Sequence, residues 1–517
     1  MSFSNEYQIR NIPNLSGGLN DFADPTEIRD NEMASCENFE VDDKTIKTAP
    51  GYVMYDGSPV ADRYWGIFHA RFSSGTQRLI RQRGSTLEYD NGSGTWTNCT
   101  LPNYASPATT VVLAQVQCSF EMLNDIVLWS NGTDSVMSST DGITWTLRSS
   151  LPKAKKLLHN GLNRILYLAQ PAVPSRIDWS DINDPLTVGA SNYQFIGKND
   201  SDDIVDAVIT PTGGLFVNKT TRFYSISDVT EGTVSVDPLG YAPCVGRTAV
   251  STENSIIWAG PNGEIYEYSG QVGVISGNLS RSNISPANIS LMTAVYFNGK
   301  YRLAIPETSN NYNSIELVVN RKLFTGKAEN PYVITRNRRN IGCYGVENRF
   351  VSSVSRTRLY FGASLYTALF AYINDFRDSS VTQGLNGAEQ TCYFSTKFFQ
   401  EDNPYYLKRY VKSFIDIFVE QSTDFTLSYR FDKNGQWTDV GKTASGEDTD
   451  WLYDDGVDSG GFSEGYSFSG LATNKIFQDL EKSQDPYGIQ LKITVSTNKD
   501  VSFYGLAYKF LTKGNFH

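Results

Sequence analysis

Histidine and cysteine are scarce in this chain of 517 residues, which contains three histidines and six cysteines. No two cysteines form a Cys-x-x-Cys pair, and no histidine lies near a cysteine in the sequence. Because zinc sites are built from clustered Cys and His ligands, the sequence predicts no zinc centre. Scattered cysteines are typical of free thiols in a protein made in a reducing cytoplasm. They are Cys36, Cys99, Cys118, Cys244, Cys343 and Cys392.

Long apolar runs and excess positive charge are also lacking. No window of 18 apolar residues occurs, so the sequence predicts no membrane span. Residues Met1–Arg10 contain no apolar core, which argues against a secretory signal peptide. The formal net charge is −11. We therefore do not expect the surface as a whole to grip duplex nucleic acid, although a local basic strip remains compatible with this charge.

Motifs for catalysis and cofactor binding are missing too. The sequence has no G-x-S-x-G, no phosphate-binding loop and no H-E-x-x-H. A glycosidase needs two carboxylates across a pocket, and acidic residues are plentiful, but no spacing singles out a pair. We therefore predict that the protein is not an enzyme and binds no cofactor.

An acidic segment between Asp448 and Asp458 contains five aspartates. Calcium loops place carboxylates at alternate positions around a turn-forming glycine. Trp451 and Leu452 interrupt that pattern, so a solvated loop is favoured over a metal site.

Asn-Gly pairs dominate what the sequence does contain, and five of them lie between two short segments with strand-like composition. A type I′ turn needs φ > 0 at both central residues, which Asn-Gly adopts at low steric cost. The pairs therefore predict a train of β-hairpins. They are Asn91-Gly92, Asn131-Gly132, Asn262-Gly263, Asn298-Gly299 and Asn434-Gly435.

Within residues 51–380 the predicted hairpins follow one another at blade-like intervals. Roughly 320 residues, at about 40–50 per four-stranded blade, predict a β-propeller of six or seven blades. The 30 tyrosines and 28 phenylalanines favour strands as well.

Two turns within this region resemble the Asp-box of sialidase-like propellers, in which an aspartate caps backbone N–H groups and a tryptophan packs between blades. Their tryptophans are 49 residues apart, about one blade. Asp-boxes are structural, so no catalytic role is expected. The residues are Asp90, Gly94 and Trp96 in the first copy and Asp141, Gly142 and Trp145 in the second.

The remaining segments are interpreted separately. Residues 390–517 alternate apolar and polar side chains with a period of two, which predicts an antiparallel β-sandwich. Within it, Asn474–Lys482 is predicted as a short helix. Residues 1–50 are predicted as an arm with a short helix from Asp30 to Asn38, because Asp30 suits an N-cap.

Several short motifs remain. They are Gly17–Asn20, Asn38, Pro50–Tyr52, Asn163–Tyr167, Ile177–Asp181 with Asp184-Pro185, Leu359–Ala363 running to Asp375, and Phe394–Lys397. These motifs resemble segments of tail proteins of tailed bacteriophages, and the C-terminal run from Phe394 resembles the terminal sandwich of podovirus tail nozzle proteins. One long signature of that family is absent.

The resemblance implies a structural virion protein that forms a hexameric nozzle or hub ring around the DNA exit channel. Such a ring docks a portal or adaptor protein, and a tail needle, fibre or spike. The protein would be made in the host cytoplasm and located in the virion tail. The alternative is a tail-tip receptor-binding protein that holds host glycan.

The net negative charge of the chain is compatible with a channel through which DNA passes without specific binding, because a mostly negative wall does not retain phosphates. One compact basic cluster, Arg336, Arg338 and Arg339, is a candidate for channel lining or subunit contact. A solvated loop or a subunit contact is favoured over DNA binding.

Overall fold

The computed structural model describes residues 7–12, 15–42, 45–55, 62–90, 95–102, 111–161, 163–197, 200–227, 235–280, 284–328, 331–351, 354–363, 369–372, 390–401, 408–419, 423–444, 474–480, 486–497 and 501–512. These residues divide into two compact units. One consists of Tyr52–Lys322 and Gly326–Asn374, and the other of Met1–Gly51, Leu323–Thr325 and Asp375–His517.

The N-terminal segment forms strands where an arm with a helix was predicted. Residues Glu32–Glu37, inside the predicted helix, pair antiparallel with Tyr393–Thr396. Asp30 caps no helix, and its carboxylate contacts Arg10 and Lys397 instead. Pairing and burial against a distant strand outweigh local helix preference here. The strands are β1 (Gln8–Ile12), β2 (Gly18–Leu19), β3 (Glu32–Glu37), β4 (Phe39–Asp42) and β5 (Thr45–Thr48).

The next strands form seven four-stranded antiparallel sheets within the described residues, and a 3₁₀ helix (Pro286–Leu291) precedes the sixth sheet. The strands are β6 (Tyr52–Met54), β7 (Tyr64–Arg71), β8 (Gln77–Arg83), β9 (Thr86–Asp90), β10 (Thr97–Asn98), β11 (Ser119–Leu123), β12 (Ile126–Ser130), β13 (Val136–Ser139), β14 (Thr146–Arg148), β15 (Lys156–His159), β16 (Ile165–Leu168), β17 (Arg176–Trp179), β18 (Tyr193–Phe195), β19 (Ile204–Ile209), β20 (Leu215–Lys219), β21 (Arg222–Ser227), β22 (Ser235–Tyr241), β23 (Val250–Ser251), β24 (Ile256–Ala259), β25 (Ile265–Tyr268), β26 (Val272–Val274), β27 (Thr293–Phe297), β28 (Lys300–Pro306), β29 (Asn313–Phe324), β30 (Tyr332–Arg338), β31 (Cys343–Val351), β32 (Val354–Gly362) and β33 (Leu369–Tyr372).

These sheets are the blades of a closed β-propeller. The first strand of each blade contacts the first strand of the next, and β31 of the seventh blade contacts β7 of the first. Six blades are consecutive four-strand meanders. The seventh consists of β31, β32 and β33, with β6 as its outer strand, paired from Phe370↔Met54 to Tyr372↔Tyr52. The predicted propeller is confirmed, and it has seven blades.

The Asn-Gly pairs that the structure describes all lie at hairpin turns, but their turn types differ. Asn298 (φ 51°) and Gly299 (φ 78°) are both left-handed, as a type I′ turn requires. At Asn262 a Gly263 N–H to Gly260 C=O bond of 3.0 Å closes a turn, and Gly263 alone has positive φ. Asn91-Gly92 lies outside the described residues.

The propeller core lies between neighbouring blades. Trp129 and Trp258, both fully buried, belong to two of the apolar clusters that join adjacent blades. Each indole N–H has a partner, which is Gln82 Oε1 for Trp129 and the Pro243 carbonyl for Trp258, both at 3.2 Å. Their burial therefore leaves no donor unsatisfied.

The second unit contains two six-stranded sheets. One has the order β38-β35-β40-β5-β4 with β1 on β40, and the other β2-β3-β34-β39-β36-β37. The helix predicted at Asn474–Lys482 is wrong, because Asn474–Asp479 pairs with β35. The C-terminal strands are β34 (Gln390–Thr396), β35 (Lys408–Val419), β36 (Thr423–Arg430), β37 (Thr438–Ala444), β38 (Asn474–Asp479), β39 (Gln490–Thr497) and β40 (Val501–Thr512).

Aromatic side chains connect these two sheets. Phe394 of one sheet lies edge-to-face against Phe39 and Phe503 of the other, with ring centroids 5.4 Å apart in both pairs. Edge-to-face geometry is favourable for aromatic rings beyond the area that it buries. The unit therefore draws its core from both ends of the chain, not from residues 390–517 alone.

Candidate functional site

The second Asp-box-like turn has the geometry of a structural cap. The Asp141 carboxylate accepts hydrogen bonds from the backbone N–H groups of Ile143 and Thr144, both at 2.8 Å. Gly142 has φ +72°. Trp145 is buried, and its ring centroid lies 6.4 Å from that of Phe120 on the innermost strand of the same blade. The turn fixes a loop and contains no arrangement for chemistry.

The first copy is built differently. Asp90 is fully buried and accepts a hydrogen bond of 2.7 Å from the Tyr55 hydroxyl. The Trp96 ring lies 3.7 Å from the guanidinium carbon of Arg81, which pairs with Glu88. Gly94 lies outside the described residues. These contacts join the start of the propeller to its first blade.

The predicted basic cluster does not form one patch. Arg339 is buried and contacts Glu316 at 3.1 Å. Arg338 has a side chain 52% exposed and pairs with Glu307 at 3.0 Å. Arg336 is half-buried on β30. One of the three charges is therefore committed to the propeller interior.

Glu316 is the centre of a buried ion network. Its carboxylate, fully buried, accepts hydrogen bonds of 3.0–3.1 Å from the side chains of Arg302, Asn337, Arg339 and Tyr344. A buried charge is tolerated only when it is paired and hydrogen-bonded in this way. The network ties together strands of the sixth and seventh blades.

A cavity of about 420 Å³ follows the propeller axis. Its walls come from the innermost strands of all seven blades. Its lining residues include Gln117, Ser119, Ser251 and Thr293 beside Arg247 and Lys156. The cavity is thus lined by polar as well as apolar residues and has two cationic groups.

Arg247 is one of the residues that line this cavity. Its backbone, just before β23, pairs with the start of β27. Its guanidinium donates to the backbone carbonyls of Gln117 (2.9 Å), Cys118 and Lys155, which precede β11 and β15. One side chain therefore bridges the fifth blade to the second and third.

Gly246 allows this approach. It has φ +57°, and a Cβ at this position would lie 2.3 Å from the Met292 carbonyl oxygen. Any other residue would be strained here and would clash. The sequence patterns predicted no role for Arg247, and the preceding Gly246 is the local signal of its position.

Acidic side chains lie near the two cationic groups of the cavity. Asp206 is fully buried, pairs with Lys156 at 3.0 Å and accepts a 3.0 Å bond from the Ala249 N–H. The Asp206 carboxylate also acts electrostatically on Arg247, and the Glu121 carboxylate lies near Lys156. Loss of hydration lowers the pKa of Arg247 below its ordinary value, although an arginine stays protonated.

Two thiols, Cys118 and Cys343, also line the cavity. Burial raises the pKa of Cys118 to about 12 and raises that of Cys343 as well. A thiol that remains protonated is a poor nucleophile. These cysteines therefore pack as small apolar groups.

A second cavity, of about 910 Å³, is lined by loops and strands of the fourth and fifth blades. Its walls include the Thr210–Gly214 turn, Asn254, Tyr268 and Ser269, together with Asn160 from the third blade. Phe216, Ile209 and Leu215 line it as well, so more of its wall is apolar than polar.

The described residues contain neither a cluster of metal ligands nor a helix suited to crossing a membrane. No group of three or more His, Cys, Asp or Glu side chains there is placed to hold a metal ion. The segment Asp448–Asp458 lies outside those residues. None of the helices in the described ranges has the length and apolar character needed to cross a bilayer.

Comparison with known proteins shows similarity of fold. No protein-family model and no curated protein matches the sequence. The β-propeller domain of Cps50 (Swd1) from Myceliophteria thermophila is 9% identical, with a TM-score of 0.36, covering 59% of this chain and 95% of that one. The N-terminal domain of Nup159 is 9% identical, with a TM-score of 0.35, covering 72% and 98%.

A third similar structure is the extracellular domain of the putative hybrid two-component system BT3049 from B. thetaiotaomicron. It is 8% identical, with a TM-score of 0.38, covering 81% of this chain and 58% of that one. Identities and scores at this level support no conclusion about function.

Proposed function

We propose that the protein is a structural component of a bacteriophage tail, in which it forms a nozzle or hub ring around the DNA exit channel. The proposal begins from the short motifs that resemble tail proteins. Its main support is the position of two of these motifs in the fold. Pro50–Tyr52 leads into β6, the strand that closes the propeller, and Gly18-Leu19 forms β2, which pairs with β3.

A third motif builds a blade. Ile165–Tyr167 and Ile177–Trp179 are paired strands of the third blade. The Tyr167 hydroxyl donates to the Pro185 carbonyl at 2.8 Å, and the Ile165 N–H donates to Ser180 Oγ at 3.0 Å. The residues that carry the resemblance thus stabilise a scaffold, as expected of a protein whose role is assembly.

The mechanism that we propose is mechanical. A closed propeller is a rigid spacer, because each blade packs against two neighbours and only short outer strand edges remain. Loops of the propeller and the two-sheet unit would contact neighbouring subunits, a portal or adaptor above, and a needle, fibre or spike. The net charge of −11 favours passage of DNA over its retention.

Immunogold labelling of purified virus particles tests this function. Antibodies against the chain should label the distal end of the tail, and mass spectrometry should find the chain in particles in multiple copies. Particles that lack the chain would refute the proposal. Labelling of the tail combined with retention on host glycan would favour the receptor-binding alternative instead.

That alternative has one observation of its own, the 910 Å³ cavity beside Tyr268. Stacking of a sugar ring on the tyrosine face and hydrogen bonds from Asn254 and Ser269 would hold a glycan. Glycan-array binding that is lost in Tyr268→Ala and kept in Tyr193→Ala, an exposed tyrosine of the third blade, would establish it.

A further inference from the structure

We propose that the outer strand of the fifth blade, β26 (Val272–Val274), is a docking edge for an extended, uncharged segment of a partner protein, which adds to the blade as a fifth strand. The inference goes beyond the proposed tail function and does not depend on it. It starts from the backbone of β26, whose outer side has no paired strand among the described residues.

The backbone groups of β26 point alternately toward β25 and away from it. The Ile275 N–H donates to the Ile265 carbonyl at 2.8 Å, so Ile275 faces β25. Because alternate residues of an antiparallel strand direct their N–H and C=O groups to opposite sides, Gly273 also faces β25, and Val272 and Val274 face outward. Their N–H donors and C=O acceptors are the groups that an added peptide strand would engage.

Two rows of apolar side chains cross the fifth blade and end at this edge. Each row begins at a buried residue of β24 and reaches β26 at a valine that is 39% or 36% exposed. In one row the Trp258 and Tyr266 rings stack, with centroids 5.7 Å apart. A fifth strand with an apolar residue opposite each valine would continue both rows, and such cross-strand pairs stabilise a sheet. The rows are Trp258, Tyr266 and Val274, and Ile256, Tyr268 and Val272.

The position between the two valines accepts a polar residue. Gly273 belongs to the opposite face of the blade, where a Cβ would meet no atom within 4 Å. Its neighbour on β25, Glu267, is already paired with Arg321 at 2.8 Å. The edge therefore favours a segment that alternates apolar, polar and apolar residues, and a charge in either apolar row would lose hydration without gaining a partner.

Edge strands are commonly protected against such pairing by charge, proline or bulges. From Ser269 to Ser280 the chain has no charged residue and no proline. The other described outer strands are charged, shielded, polar or buried, so β26 is the apolar edge that remains open. Their features are Arg148 in β14, Asp237 and Pro238 in β22, Arg338 in β30, the Arg176 guanidinium over Tyr193 of β18, two polar residues in β10 and the buried Tyr52 in β6.

A partner segment suits this edge better than a second copy of the chain. β26 has three residues, and pairing of two copies through it would bury far less than the roughly 1,200 Å² of a stable interface. An extended segment that is tethered by another contact needs only a weak edge, because tethering raises its effective concentration.

Saturation-transfer difference NMR on the full chain tests the proposal with the peptide acetyl-Thr-Val-Thr-Val-Thr-amide. We expect it to bind with a dissociation constant of about 1 mM or lower. The matched control is the same peptide with both valines N-methylated, which should bind at least about tenfold more weakly because it lacks the two N–H donors. No signal from the first peptide at ~1 mM, or equal binding of the two peptides, would overturn the proposal.

Two variants locate the site. Val274→Pro removes an outward N–H and none that bonds β25, so the blade should stay folded while peptide binding weakens at least about fivefold. Val274→Ile keeps both the N–H and the apolar side chain and should bind as the parent protein does. Unchanged binding in a folded Val274→Pro variant would reject the assignment to β26.

A further variant keeps the test decisive if Val274→Pro fails to fold. Val272→Lys places a charge at an exposed position of one apolar row and should also weaken peptide binding. Unchanged binding there would contradict the proposal. Sedimentation velocity identifies the occupant: a dimer of the parent protein that is lost in Val272→Lys would show that a second copy occupies the edge, and would overturn the partner assignment.

Discussion

Arg338 and Arg339 are adjacent in the sequence and opposite in environment. Arg339→Ala leaves the buried Glu316 with fewer partners, so the free energy of unfolding should fall by about 3 kcal/mol. Arg338→Ala removes an exposed pair with Glu307, so the change should stay below about 1 kcal/mol. Urea unfolding followed by tryptophan fluorescence measures both. Equal losses in the two variants would contradict the assignment.

Asp141 stabilises its turn through backbone hydrogen bonds. Asp141→Ala leaves the N–H groups of Ile143 and Thr144 without their acceptor and should cost about 1–2 kcal/mol of unfolding free energy. Thr140→Ala, at the exposed neighbouring position, is the matched control and should change stability by less than about 0.5 kcal/mol. A neutral Asp141→Ala would show that the cap contributes nothing.

At the scale of elements, the closing strand β6 depends on Tyr52. Its ring contacts Phe361 and Phe370, with centroids 5.3 and 5.2 Å away. Tyr52→Ala should lower the unfolding free energy of the propeller by about 3–5 kcal/mol, whereas Tyr52→Phe should retain most of it. Thermal unfolding and protease sensitivity near the closure report the loss. A fully stable Tyr52→Ala would mean that β6 is dispensable.

Elements also show where sequence reasoning succeeded and failed. Period-two alternation identified strands such as Thr423–Arg430, because Phe425, Leu427 and Tyr429 are buried on one face while the other face is partly exposed. It failed at Glu32–Glu37 and Asn474–Asp479, whose residues have no such alternation and become strands through distant partners. Long-range pairing is not encoded in a local window, and neither is the reach of Arg247 across the axis.

At the scale of the whole molecule, the burial of cysteine thiols predicts that the unfolding free energy falls at alkaline pH. Burial raises the pKa of Cys99 and Cys118 to about 12 from 9.0. A raised folded-state pKa gives stability that is complete below about pH 9 and is lost as pH rises toward 12. The unfolding free energy should therefore fall by at least about 2 kcal/mol between pH 8 and pH 10.

Urea titrations at the two pH values measure this fall. Cys118→Ala removes one of the titrating groups, so its pH-dependent loss should be smaller by roughly 1.4 kcal/mol. Stability that is constant from pH 8 to pH 10 would show that these thiols do not titrate differently in the folded and unfolded chain.

The second unit combines strands from both ends of the chain, so it can be completed only after the propeller has been synthesised. Strand β33 completes the seventh blade at Tyr372, while β40, which pairs with β1, β5 and β35, begins only at Val501. At roughly 5–20 residues per second, translation separates the two events by on the order of ten seconds. A nascent chain would therefore carry a finished propeller while its N-terminal strands still await partners, and factors that shield exposed strand edges would be needed during that interval.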